Sequence, residues 1–66
     1  MNYTAKDLGD EVRARRIAHR PAMTQKDLAR AAGYGKAGEV SISRIESGLA
    51  RPTATKLDAI AVALGA

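Results

Sequence analysis

The chain has 66 residues, eleven basic against seven acidic side chains, a net charge of +4 and no cysteine. That length makes one domain, residues 1–66, whose small core must be compact or shared with a second copy, and it excludes disulfides and thiolate metal sites, while the lone His19 cannot build a metal site unaided. No stretch approaches the roughly 20 apolar residues of a membrane helix, and Lys6 and Asp7 stand where a secretory signal needs an apolar run, so a soluble cytoplasmic protein with no metal or cofactor is expected.

Thr4 can cap a first helix, with Asp7 in its first turn. Leu8, Val12 and Ile17 supply apolar contacts near the helical period, with Arg15, Arg16 and His19 interleaved. Asp7, Asp10 and Glu11 come early and Arg13, Arg15, Arg16 and Arg20 late, which complements the helix dipole at both ends. Pro21 ends this helix at or just before Arg20.

Thr24 caps a second helix, and Asp27 three residues on can reach back as a variant capping box. Leu28, Ala31 and Ala32 share a face, and Gly33 is a left-handed stop. Tyr34 to Gly38 reads as a loop, because glycine inside a helix costs about 1 kcal/mol; the alternative is a third helix beginning near Lys36 or Ala37. That helix carries Val40, Ile42 and Ile45 and runs to Gly48. Leu49 to Pro52 is a connector. Thr53 caps a last helix with Leu57, Ile60, Ala61 and Leu64 on its apolar stripe, widened by Ala59, Val62 and Ala63, and Gly65 stops it. No hairpin signal or internal repeat interrupts the pattern, so the fold class is all-α.

Two short amphipathic helices, each ended by glycine and the second polar and basic, are what a helix-turn-helix needs to lay one helix in the major groove. Around the core positions Ile42 and Ile45 stand Glu39, Val40, Ser41, Ser43 and Arg44. Serine can donate or accept, arginine can grip guanine or a phosphate, and a carboxylate can accept from cytosine; the plainer reading is a solvated helix face. Gln25, in the first turn of the second helix, can reach a phosphate where free N–H groups and the dipole favour an anion, or it is an ordinary solvated glutamine. Arg16 and Glu46 fall beside Ile17 and Ile45 on helices that must pack together. They are either two solvated charges or an ion pair that registers the first helix on the third. The basic balance points to a polyanion, and with only Tyr3 and Tyr34 aromatic a base-stacking platform is disfavoured.

The order T-Q-x-x-L-A-x-x-A-G from Thr24, I-S-x-I-E-x-G from Ile42, P-T at Pro52 and L-x-x-I-A-x-A-L-G from Leu57 resembles the Cro-like phage-repressor (XRE) helix-turn-helix family, from about Leu8 to Leu64. The resemblance implies a compact lambda-repressor-like domain of four helices, with five as the alternative. It implies that Arg16 pairs with Glu46 near a phosphate, and that Gln25 touches the DNA backbone. By the same resemblance Glu39, Val40, Ser41 and Arg44 face base edges, with Ser43 as a further candidate. Ser47 and Arg51, in the loop after the recognition helix, meet phosphates; Thr24 and Lys36 complete the phosphate candidates. The chain departs from the family in a longer connection at Arg20 to Ala22, a longer turn between Gly33 and Ile42, and a stop at Ala66.

The function these readings support is a sequence-specific double-stranded DNA-binding regulator, a repressor acting as a homodimer on a palindromic operator. Its recognition helices would meet successive major-groove faces about 34 Å apart, with a homodimer that assembles only on DNA as the alternative to one formed in free solution. The alternative is an antitoxin-like interaction module whose apolar last helix holds a partner protein while the helix-turn-helix binds its own promoter. Catalysis is not expected: no nucleophile–base–orienter set is spaced for it, and Gly33, Gly35 and Gly38 lack the Lys-Ser/Thr of a phosphate loop.

Overall fold

A computed structural model describes residues 4–65; Tyr3 and Ala66 lie outside the described residues. It contains α1 (Ala5–Ala18), α2 (Gln25–Ala31), α3 (Gly38–Glu46) and α4 (Ala54–Ala63), with no strand among the described residues. No helix there is long and apolar enough to cross a membrane.

The first two helices start with the same device. The Thr4 hydroxyl accepts from the Asp7 N–H at 3.0 Å and the Asp7 carboxylate accepts from the Thr4 N–H at 3.2 Å. Thr24 and Asp27 repeat this at 3.0 and 3.1 Å. Each box satisfies two backbone donors that a helix start leaves unpaired. The Thr4 hydroxyl and N–H lower the Asp7 pKa, and the Thr24 N–H and hydroxyl lower that of Asp27. Thr53 caps α4 with its hydroxyl alone, accepting from the Lys56 N–H at 3.2 Å.

The helix ends are equally regular. After α2, Gly33 at φ +80° donates to the Arg30 carbonyl and Tyr34 to that of Ala29. After α3, the Gly48 N–H goes to Ile45 and the Leu49 N–H to Arg44. This pair of back-turned bonds satisfies the last carbonyls and requires a left-handed residue, which glycine adopts without steric penalty. It also ends α3 at Glu46, short of Gly48.

Leu28, Ile42 and Ile60 are fully buried, one each from α2, α3 and α4, with Val12, Ala29, Ala32 and Ile45 around them. α3 packs on both α1 and α2, while α4 packs on α2. Four residues expected in the core lie elsewhere. Ile17 is 55% exposed: the buried stripe of α1 runs through Gly9 and Val12, continues at i+4 to Arg16, and leaves Ile17 one step round the helix. Ala31 is exposed and Ala29 is buried in its place. On α4, Ile60 is buried with Ala59, Ala63 and Leu64 against the core, but Leu57 sits at the margin and Val62 is 77% exposed. Val62 is two residues from Ile60, hence on the opposite side of the helix.

The third helix opens at Gly38, not after it, with Ala37 as its cap. Gly38 is buried, and a Cβ there would collide with the side chains of Tyr34 and Ala29. Close contact between α3, α2 and the turn therefore overrides the helical cost of glycine. Gly9 has the same role in α1, where a Cβ would press on the backbone carbonyls of Ile45 and Glu46.

Candidate nucleic-acid interface

Arg16 comes from the buried stripe of α1, Gln25 from the first turn of α2 and Glu46 from the last turn of α3. The structure brings all three together. Arg16 Nε donates to Glu46 Oε2 at 2.7 Å and Arg16 Nη2 to Oε1 at 3.0 Å, a two-pronged pair. Gln25 Nε2 donates to the same Oε1 at 3.1 Å. Arg16 Nη1 donates to the Met23 carbonyl at 2.9 Å, which also ties down the segment before α2. The Glu46 side chain is 3% exposed and that of Arg16 13%. The hydrogen bonds to Glu46 hold the Arg16 pKa above its ordinary value, outweighing the opposing effect of burial. No buried side-chain nitrogen or oxygen among the described residues lacks a partner.

This network orients α3 with its far side outward. Glu39, Val40 and Arg44 are exposed, and Ser41 and Ser43 are half-buried at the edges. Ser47 is exposed at the C-terminal cap of α3, and Arg51 is exposed in the connector. Lys36 is exposed in the turn between α2 and α3. Thr24 and Gln25 stand at the start of α2 already engaged, one in its cap and one on Glu46. Gln25 keeps a hydrogen to donate, since an amide nitrogen carries two.

Sequence reasoning missed how the turn is held. Lys56 of α4 donates to the Gly33 carbonyl at 3.1 Å and places its ammonium 4.7 Å from the centroid of the Tyr34 ring. Burial raises the Tyr34 pKa. The sequence offers no signal for this clamp, because it joins residues that no periodicity relates. It also missed Lys26 and Arg30, which line a cleft with Lys36 and Glu39. Their i, i+4 spacing on α2 was the available clue.

Two packed helices joined by a glycine-initiated turn, the second held by a buried ion pair and exposed along its polar side, define a helix-turn-helix protein. The family model described as a helix-turn-helix domain matches residues 7–66, so the chain belongs to that family, the class to which DNA-binding regulators of this architecture belong. No curated protein and no solved structure matches the chain.

Proposed function

We propose that this chain is a sequence-specific, double-stranded DNA-binding transcriptional regulator of the Cro-like (XRE) kind, a repressor that occupies a palindromic operator as a homodimer. The observation that carries the reading is the Arg16–Glu46–Gln25 network. It fixes the angle of α3 from both α1 and α2, which a helix that must enter a groove in one register requires. Glu39, Val40, Ser41, Ser43 and Arg44 read base edges, and Arg16, Thr24, Gln25, Lys36, Ser47 and Arg51 serve the phosphates. The reading assigns the chain no catalysis.

Selection from a random-sequence duplex library tests it, followed by a gel shift on the enriched duplex and on the DNA flanking the chain's own gene. A reproducible enriched motif is the expected result; enrichment of none would refute sequence-specific binding. On that duplex, Arg44→Ala costs about 1–3 kcal/mol and relaxes preference at one position per half-site if Arg44 reads guanine. Uniform weakening on all single-base variants would instead make Arg44 a phosphate anchor.

A second reading, an interaction module that also holds a partner protein, draws on the exposure of Leu49 at 70% and Val62 at 77%. The same residues serve a homodimer, so the two readings part on what co-purifies with the native protein: a second copy or a different polypeptide.

A further inference from the structure

We propose that the cleft between α2 and the start of α3 is a second anion site, which holds a phosphodiester of the DNA backbone beside the groove that α3 enters. This inference rests on the DNA-binding reading above. The cleft has a volume of about 480 Å³ and is walled by Lys26 and Arg30 of α2, Tyr34 and Lys36 of the turn, and Glu39 of α3. Lys26 and Arg30 lie one helical turn apart on the same side of α2, and Lys36 enters from the turn. All three cations are exposed. The nearby Asp27 offsets part of this charge. Its carboxylate accepts from the Thr24 N–H at 3.1 Å, and Arg30 and Lys26 also favour its charged form.

Three cations against two carboxylates, Glu39 in the wall and Asp27 beside it, leave the cleft net positive, and a concave positive surface with protein walls concentrates the field on an entering anion. The turn that supplies Lys36 is anchored. The Tyr34 N–H bonds the Ala29 carbonyl at 2.9 Å, the Gly38 N–H bonds that of Gly35 at 2.9 Å, and Lys56 holds the Gly33 carbonyl. Residues Tyr34 to Lys36 of this turn build one wall of the cleft. The choice of DNA phosphate over an acidic peptide follows from Glu39. It belongs both to the cleft wall and to the side of α3 offered to base edges, so the cleft is continuous with that side, and phosphates border any groove a helix enters.

The test compares the parent with the variant Lys26→Gln, Arg30→Gln on the duplex enriched from a random library, since Lys36 is already assigned to the phosphates. Because both side chains are exposed, the melting transition followed by circular dichroism serves as the folding control. The expected result is a salt dependence of log affinity shallower by about 0.9 for the one phosphate lost. Ethylation interference should lose one phosphate signal while base preference stays the same. An unchanged slope and interference pattern, with the parent still bound, would overturn the cleft and leave the DNA reading intact. If that variant instead lost capture of an acidic peptide, the cleft would belong to a protein partner. A parent that binds no duplex would overturn both.

Discussion

α2 is gripped on two sides by different chemistry. Toward α3 it meets Gly38 at close range through Ala29, and its Gln25 joins the buried Arg16–Glu46 pair. Toward α4 it meets Ile60 and its neighbours, and the polar tie is the partly exposed Lys56 on Gly33 and Tyr34. The first side is specified by directional, water-excluded contacts that admit one angle between the helices. The second is specified by apolar burial, which tolerates changes of shape better. On the proposed DNA-binding reading, the difference puts rigidity where α3 is aimed and leaves the plainer surface to α4.

The sharpest way to break this comparison is to remove Glu46. Glu46→Ala leaves the Arg16 guanidinium largely buried without its partner and should cost about 3–5 kcal/mol of stability. Urea denaturation of this variant beside Lys56→Met measures the contrast, since a partly exposed tie of the second kind is worth about 0.5–1.5 kcal/mol at most. The double change Arg16→Met with Glu46→Leu should recover much of the loss, because a well-packed apolar pair avoids the desolvation the ion pair suffers. Additive effects in that cycle would show that the pair is not coupled.

The glycines sharpen the same contrast at a smaller scale. Gly9→Ala drives a methyl into the carbonyls of Ile45 and Glu46, and about 1–3 kcal/mol of overpacking is expected. A Cβ at Gly35 meets nothing within 4 Å. Gly35→Ala should therefore be neutral or stabilising by about 0.4–1 kcal/mol, through a less flexible unfolded chain. Equal thermal shifts for the two variants would mean that α1 and α3 can move apart without penalty.

How much was legible in the sequence follows the same division. Caps and stops were readable, because Thr4, Thr24, Thr53, Gly33 and Gly65 act on their immediate neighbours. The meeting of Arg16 and Glu46 came from family resemblance; on the residues alone two solvated charges were the plainer reading. What failed was the choice of which apolar residues of a helix face the core. Ile17 and Val62 look like core by composition, yet the stripe that docks passes through Arg16 on α1 and through Ile60 and Leu64 on α4. Periodicity identifies a helix more readily than the part of its circumference that another helix will cover. Gly38 was misplaced for a related reason: its helical penalty is local and visible, whereas its contact with Ala29 and Tyr34 is tertiary.

Val62 offers a test of the α4 side. As an exposed residue, Val62→Ser should change folding stability by no more than about 0.5 kcal/mol. If the homodimer uses this side, the same change weakens pairing on a two-half-site duplex, seen in sedimentation as a shift from two proteins per duplex toward one. Unchanged stoichiometry and cooperativity would place the dimer contact elsewhere.

The smallest effect expected is in acid. Asp7 and Asp27 both have folded-state pKa values lowered below the ordinary 3.8 by their bonds to Thr4 and Thr24. A lowered folded value means that the unfolded chain takes up protons first as the pH falls. The contribution of each box is therefore complete above the ordinary value and fades below it, as the pH passes through the lowered one. Both carboxylates are at the surface, so solvent and salt screening keep the effect small. Asp27→Asn should flatten part of the acid limb of the denaturation midpoint against pH and leave the neutral region parallel to the parent. Because Asp27 caps the helix that carries Gln25 to Glu46, a loss in the variant that persisted unchanged into strong acid would mean that Asp27 orients α2 by its shape alone. A loss that vanished there would assign the contribution to its charge.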